Sequence, residues 1–243
     1  MIWPDRETQL SQMAPDTPRS MAPRSIEPGA HVPLDFGGTD PDTPYVELHL
    51  HSCFSMLSGA SHIEELAETA QLLGYHAVAL TDSNGLYGAM EFAQELKARG
   101  IQSITGLELS LAEEDDPESP RSHLTLLAET RAGYRNLCRM ISFAHGLLLD
   151  EPAAKDARRK EPWIHAEALR EHSEGLIVLT GCRQGRIPAL VAEERLPEAC
   201  AALEELVGWF GRDQVFVELQ DNLVYGDSAR NRALVQLAER VGV

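Results

Sequence analysis

The chain has 243 residues, of which 43% are hydrophobic and 24% charged, and its formal net charge is −17. This length suffices for one barrel-sized domain or two small ones. Proteins that hold nucleic acid through its phosphates normally carry a basic surface, so the acidic balance argues against direct DNA binding by this chain alone. The sequence has no apolar run of signal-peptide or membrane-span length, and its four cysteines have no C-x-x-C spacing. Together these features indicate a reduced, cytoplasmic protein without a membrane partner.

The N-terminal stretch differs in composition and in hydrophobic pattern from the rest of the chain. Residues 1–44 contain eight of the 14 prolines and almost no periodic apolar pattern. We predict a disordered leader here, or sequence upstream of the true start, with Met13 and Met21 as possible internal starts. The folded domain is predicted to span residues 45–243.

From Tyr45 onward, apolar periodicity predicts strands that alternate with helices. Ser61, with Glu64 three residues further on, is predicted to form a capping box at the start of the first helix. The predicted strands are 45–51, 76–81, 101–111, 123–128, 176–180 and 215–220. The predicted helices are 63–73, 87–99, 133–149, 165–172, 187–194, 197–210 and 228–240, and the charged stretches 113–120 and 150–162 are predicted to be solvated loops. This alternation indicates parallel βαβ units, and therefore an open doubly wound sheet or a (β/α) barrel.

Two histidines stand at alternate positions of the first predicted strand. Residues i and i+2 of a strand face the same side, so His49 and His51 would project together with Cα atoms roughly 6.6 Å apart. Two neutral imidazoles at this separation can share one metal ion or bind one phosphate. The alternative is that they fill a polar strand face.

Other potential ligands occupy similar places in the predicted sheet. Asp82, Glu108 and Cys182 lie late in a predicted strand or just after one. In parallel α/β folds, chemistry gathers at the C-terminal ends of the strands, so these side chains are expected near the histidine pair. His123 begins its strand and, in an all-parallel sheet, would lie at the opposite end.

Several short motifs follow one another through the chain: HLHS at 49–52, FSMLSGAS at 54–61, ALTD at 79–82, GLYG at 85–88, GLE at 106–108, HLTLLA at 123–128 and LTGC at 179–182. Their order and spacing resemble the polymerase and histidinol phosphatase (PHP) domain, and most closely that of bacterial DNA polymerase III alpha subunits of the error-prone type. The resemblance implies a distorted seven-stranded (β/α) barrel with a multinuclear metal site. It also implies phosphoester hydrolysis in metal-competent members, and proofreading or structural support in the polymerases.

The resemblance assigns metal-ligand positions residue by residue. His49 and His51 correspond to the first ligand pair of the family, and Glu108 corresponds to its bridging carboxylate. His123 corresponds to the next histidine and Cys182 to the ligand after the fifth strand. The resemblance thus places His123 in the site, whereas an all-parallel sheet would not.

The chain also departs from the family pattern. Ser58 stands where the family has an aspartate ligand, and Ser83 stands where it has a histidine. The chain stops at Val243, before the family's last strand and its Asn-Asp-x-His motif, so the barrel is expected to lack that strand and two further ligands. Because a neutral serine is a weak ligand, we expect the divalent metal (Zn²⁺, Mn²⁺ or Mg²⁺) to be bound substoichiometrically or to be absent.

The roles of several polar residues remain open at the sequence level. Asp82 is expected either to orient an imidazole of the site or to cap the following turn. Glu218 and Gln220 share a predicted strand face and could reach the site, or could line the core or face solvent. Cys138 and Cys200 are predicted to be core residues, and Cys53 is undecided. The remaining histidines match no motif position and are predicted at surface or capping positions: His62, His76, His145, His165 and His172.

Three functions are compatible with these features. The first is a PHP domain fragment of an error-prone polymerase III alpha subunit, whose partners are the rest of that subunit or its accessory proteins in DNA replication and translesion synthesis. Such a fragment would have impaired hydrolase activity, and no polymerase activity because the polymerase carboxylates would lie beyond Val243. The second is a free-standing PHP phosphoesterase, against which the polymerase-like segments 57–60 and 85–88 argue. The third is a non-catalytic structural or docking module, and no catalytic base can be named from the sequence.

Overall fold

The structure, a computed structural model, describes residues 45–112, 121–146 and 162–243. The predicted leader at 1–44 lies outside the described residues. The two predicted charged loops also lie outside them, apart from Pro162.

Strands and α-helices alternate along the described residues, as the periodicity predicts. The strands are β1 (Ala77–Leu80), β2 (Gln102–Ala112), β3 (Ser122–Ala128), β4 (Ile164–His165), β5 (Leu176–Leu179) and β6 (Val215–Phe216). The helices are α1 (Ile63–Leu72), α2 (Ala89–Ala98), α3 (Arg131–Ala144), α4 (Ala166–Glu171), α5 (Arg186–Ala192), α6 (Leu196–Phe210) and α7 (Asp227–Val241), with a 3₁₀ turn at Arg212–Gln214. Helix α1 begins at Ile63 as predicted, but its capping box lies one residue further on than Ser61 and Glu64: His62 is the N-cap, and its backbone N–H donates to Glu65 Oε2 at 2.8 Å.

The strands form one mixed sheet in the order β1-β2-β3-β5-β6, and β4 pairs with the end of β2. Three pairs are parallel (β1 with β2, β2 with β4, β5 with β6), and β3 is antiparallel to both of its neighbours. The α/β class is therefore confirmed. The sheet is open, and the described residues do not close it into a barrel.

The expectation of an all-parallel sheet is wrong at β3. A parallel pair needs a crossover connection of a dozen or more residues, usually with a helix, and the connection from Ala112 to Ser122 is shorter than that. The strand therefore turns back, and its register places His123 opposite Ser110 and Thr125 opposite Glu108. As a result, the beginning of β3 lies beside the end of β2.

Two predicted strands are shorter in the structure than their patterns suggest. In the predicted strand 45–51, only Glu47 makes a β-bridge, to Val78. The ladder is interrupted there because the backbone N–H of His49 donates to the Glu47 carboxylate at 3.0 Å. In the last, the ladder ends after Phe216, and the backbone N–H of Glu218 donates to Thr180 Oγ1 at 3.0 Å instead.

Apolar side chains hold helices against the sheet. Phe92 and Leu96 of α2 are completely buried in a cluster with Ile63 of α1 and Val78 of β1. A larger cluster joins β2, β3 and β5 to helices α3–α7. Within the described ranges, no helix combines the length and apolar character needed to span a bilayer.

The open side of the sheet forms a groove of about 860 Å³. The segments 45–49 and 216–222 line it, together with apolar side chains such as Ile104, Leu127 and Leu179. The groove also reaches His49 and Glu218, so one edge of the candidate site borders this opening.

Gly181 shapes the turn after β5 that carries Cys182. Its φ is +83°, and a Cβ added to it would lie 2.7 Å from the backbone oxygen of His123. We expect Gly181→Ala to lower the free energy of unfolding by about 2 kcal/mol or more, because the left-handed conformation and the backbone clash both oppose a side chain. Urea denaturation followed by circular dichroism measures this change.

Gly208 provides the matched control. It lies inside α6, where an added Cβ meets no atom within 4 Å. Gly208→Ala should raise stability by about 0.5–1 kcal/mol, because alanine loses less conformational entropy than glycine in a helix. Equal effects of the two substitutions would contradict the role assigned to the turn.

Candidate metal centre

The carboxylate of Glu108 lies among three imidazoles. Its Oε2 is 3.2 Å from Nε2 of His49 and 3.3 Å from Nδ1 of His123. Its Oε1 is 3.5 Å from Nε2 of His51 and accepts a hydrogen bond from the Ser83 hydroxyl at 3.0 Å. One carboxylate therefore connects three segments of the chain that are distant in sequence.

The potential ligands form two groups that share Glu108. His49, His51 and Glu108 make one group, and Glu108, His123 and Cys182 make the other. Within each group the nitrogen, oxygen or sulfur atoms lie within 4.8 Å of one another. All five residues predicted as ligands thus come together at one end of the sheet.

The topology explains how these residues meet. His49 and His51 lie in the segment before α1, which is fixed to β1 by hydrogen bonds from Ala79 N to Glu47 O (2.8 Å) and from Thr81 N to Leu50 O (2.9 Å). His123 lies at the same end only because β3 runs antiparallel to β2. The expectation that a residue at the beginning of β3 would be remote from the site is therefore wrong.

Hydrogen bonding and burial set the charge state of the site. Burial by itself would lower the pKa of His49, but hydrogen bonds to Glu108 and Glu218 outweigh it and raise the pKa to about 10. Contact with Cys182, and then with Glu108, raises the pKa of His123 to about 10. Burial opposes ionisation of Glu108, yet hydrogen bonds from His123 and His49 hold its pKa well below the usual range. At neutral pH the site without metal is thus a carboxylate between two imidazolium ions.

His51 indicates whether a metal ion would fit the site. Burial lowers the pKa of His51, so its ring is neutral at neutral pH. Its Nε2 is buried and has no hydrogen-bond partner, although it lies 3.5 Å from Glu108 Oε1. A buried ring nitrogen without a hydrogen-bond partner, beside a carboxylate, is suited to a metal ion, and imidazole, carboxylate and thiolate together form a donor set typical of Zn²⁺. The residues present fit a divalent ion.

The two substituted positions have different surroundings. The Ser83 hydroxyl, at one of the two positions where the resemblance predicts a substituted ligand, donates a hydrogen bond to Glu108. Ser58 lies in an exposed turn, where its backbone N–H donates to Ser55 O at 3.0 Å.

Asp82 supports the loop beside the site. The carboxylate is 2% exposed and accepts hydrogen bonds from Ser52 N, Ser52 Oγ and Ser55 Oγ at 2.6–2.7 Å. Ser55 Oγ in turn accepts the backbone N–H of Ser83 at 3.0 Å. None of these hydrogen bonds goes to a histidine ring, so they do not give Asp82 the expected role of orienting an imidazole. They fix the loop that follows His51.

Glu218, Gln220 and Thr125 also reach the site. Glu218 Oε1 lies 2.6 Å from Nδ1 of His49, and Gln220 Nε2 and Thr125 Oγ1 lie 3.2 and 3.3 Å from the same nitrogen. Glu218 and Gln220 are two residues apart and share one face of the predicted strand, so the sequence indicated that both could reach the site. The position of Thr125 opposite Glu108 depends on the antiparallel pairing of β3, so the sequence pattern did not reveal it.

The remaining histidines and cysteines lie outside this cluster. His62 and His165 are helix N-caps, His145 and His172 are C-caps, and His76 is exposed. Cys53 lies near His62, with Sγ 3.6 Å from Nδ1. Cys138 and Cys200 lie in helices α3 and α6 as expected, but they are half-buried rather than fully buried.

Relatives of the chain include error-prone DNA polymerases and a DNA polymerase III subunit alpha. It is 42% identical over 209 residues to an error-prone DNA polymerase of Symbiobacterium thermophilum, covering 82% of this chain and 18% of the relative. An error-prone DNA polymerase of Mycolicibacterium paratuberculosis is 36% identical over 99% of this chain and 21% of its own length. A DNA polymerase III subunit alpha of Treponema pallidum is 34% identical over 82% of this chain and 17% of its own length. The chain therefore spans about a fifth of the length of these relatives.

Solved structures share the fold at low sequence identity. A candidate metal-dependent phosphoesterase from Bifidobacterium adolescentis aligns with a TM-score of 0.53 and 17% identity, over 84% of this chain and 86% of that one. An amidohydrolase from Chromobacterium violaceum, with bound sulfate and no metal, aligns with a TM-score of 0.55 and 16% identity, over 82% of this chain and 84% of that one. The family model for the PHP domain matches residues 47–222, which include every residue of the cluster around Glu108. The chain is a member of the PHP domain family and is homologous to part of the error-prone DNA polymerases.

Proposed function

We propose that this PHP domain binds one or two divalent metal ions around Glu108 and supports slow, metal-dependent phosphoester hydrolysis within a protein of the error-prone polymerase type. Its partners would then be the rest of such a polymerase or its accessory proteins, in the cytoplasm. The single observation that carries this proposal is the pair of three-residue ligand groups that share the Glu108 carboxylate.

The chain's own residues would hold the ion. His49 and His51 provide two imidazoles on one side of Glu108, and His123 with Cys182 provides an imidazole and a sulfur on the other. A bound divalent ion would supply an activated water for attack on a phosphoester. The side chains of His51 and His123 are 19% and 25% exposed, so the site is open to a substrate from solvent.

Ser58 and Ser83 are the reason to expect slow hydrolysis. Each replaces a stronger ligand of the family pattern with a neutral hydroxyl, which binds Zn²⁺, Mn²⁺ or Mg²⁺ weakly. The same substitutions favour a second candidate function, in which the domain is a non-catalytic docking or folding module of the polymerase. The free-standing phosphoesterase is less well supported, because the three relatives described above are polymerases.

Metal binding should release protons and strengthen with pH. The pKa values of His49 and His123 are about 10, above the ordinary value of 6.5, so both rings are protonated between pH 6 and 9. An ion must displace these protons, and its apparent affinity should therefore rise about tenfold per pH unit for each proton displaced. Calorimetric titration with Zn²⁺ in buffers of different ionisation enthalpy counts the protons; we expect one or two, and none would contradict this charge state.

Hydrolysis can be followed with bis(p-nitrophenyl) phosphate and Mn²⁺. We expect a slow Mn²⁺-dependent rate that falls by roughly 100-fold in Glu108→Gln, because both ligand groups lose their shared carboxylate. Glu239→Gln, which changes an exposed carboxylate of α7, should leave the rate unchanged. If metal binds but the rate equals that of free Mn²⁺, hydrolysis is refuted and the docking module becomes the better supported function.

A further inference from the structure

We propose that Glu218 is a positioning residue that fixes the tautomer of His49, so that Nε2 of this ring faces the metal site. The inference rests on the proposed metal-binding function and extends it to a residue outside both ligand groups. It assigns a role to the segment after β6, which none of the sequence motifs covers.

The contact between the two residues is short and buried. Glu218 Oε1 lies 2.6 Å from Nδ1 of His49, and the two side chains are 10% and 8% exposed. An ionised carboxylate can only accept hydrogen bonds, so we assign Nδ1 of His49 as the donor in this contact, with its proton on the side of the ring remote from Glu108. Glu218 Oε2 is buried without a hydrogen-bond partner, so the hydrogen bonds of this carboxylate are made through Oε1.

Neighbouring groups hold the Glu218 carboxylate in place. The Gln220 amide donates to Glu218 Oε1 at 2.6 Å, and the backbone N–H of Glu218 donates to Thr180 Oγ1 at 3.0 Å. The backbone oxygen of Gln220 accepts a hydrogen bond from Asn231 of α7 at 3.1 Å. These bonds fix an otherwise irregular segment against β5 and α7, with the carboxylate directed at His49.

The chemical consequence follows from the two ring nitrogens. A neutral imidazole carries one proton, and the nitrogen without it is the one that can bind a metal ion. When a metal ion displaces the Nε2 proton of His49, a proton held on Nδ1 by Glu218 leaves the lone pair on Nε2, the nitrogen that lies 3.2 Å from Glu108 Oε2 in the metal-free site. A carboxylate behind a metal-binding histidine orients the ring and raises its basicity, and its loss typically weakens metal affinity or activity 10–100-fold.

An ordinary structural role is the competing explanation. In that case Glu218 would only hold the 216–222 segment against the sheet, and its loss would reduce stability without changing the state of the His49 ring. The two roles differ in what happens at Nδ1 of His49.

The test uses the full chain with Zn²⁺ and two substitutions, Glu218→Leu and Glu218→Gln. Zinc affinity is measured by competition with a chromophoric chelator, and the His49 tautomer by long-range ¹H–¹⁵N correlation spectra assigned with His49→Asn. We expect a protonated, downfield-shifted Nδ1 and a zinc-bound Nε2 in the native chain. In Glu218→Leu the shifted signal should disappear, and the zinc affinity should fall 10–100-fold. Glu218→Gln, which retains an acceptor oxygen, should keep most of both, as should the exposed control Glu239→Gln.

Two results would overturn the proposal: zinc on Nδ1 of His49, or a Glu218→Leu protein with native zinc affinity and an unchanged Nδ1 signal. Failure of the proposed metal-binding function gives a different experimental result. If the native chain binds no zinc, metal binding is refuted, and the zinc-free spectrum still tests the contact with Glu218. A downfield Nδ1 proton that disappears in Glu218→Leu then supports positioning, and one that persists contradicts it.

Discussion

The Glu108 carboxylate is the charge on which the candidate site depends. It is 5% exposed, and a buried carboxylate is stable only when it is hydrogen-bonded and its charge is compensated. Three imidazoles and one hydroxyl surround it, from segments that are brought together only by the completed sheet. Protons on His49 and His123 can provide the compensating charge, and a divalent ion can provide it in their place.

The same constraint relates the site to the fold. His49 and His51 are fixed through the pairing of their segment with β1, Glu108 lies in β2, and His123 lies in β3. Moving any of these segments would leave the carboxylate with an uncompensated charge, which is costly in a buried site. The polar cluster and the apolar clusters behind the sheet therefore specify the same arrangement of strands.

Much of this arrangement follows from local sequence patterns. The alternation of strands and helices was predictable because apolar periodicity is a local property, and the helices lie within a few residues of their predicted bounds. The proximity of His49 and His51 to Glu108 was also predictable, since strand ends gather residues in any α/β sheet. The strand-end position also placed Cys182 nearby, and the motif resemblance added its role as a ligand and brought His123 into the site.

The remainder depends on pairing between distant segments, which periodicity does not encode. The direction of β3 follows from a short connection, and it decides whether His123 belongs to the site. Asp82 accepts bonds from serines 27 and 30 residues away, and Glu218 contacts a histidine 169 residues away. Such partners become visible only when the sheet order is known.

Anomalous diffraction from crystals grown with Zn²⁺ is the most direct measurement of whether Glu108 organises a metal site. A zinc peak about 2.0–2.2 Å from a Glu108 oxygen, with the same spacing to a nitrogen of His49, His51 or His123, is the result expected here. The contradictory result is a map without a peak at Glu108, in which the carboxylate keeps its hydrogen bonds to the protonated His49 and His123 rings.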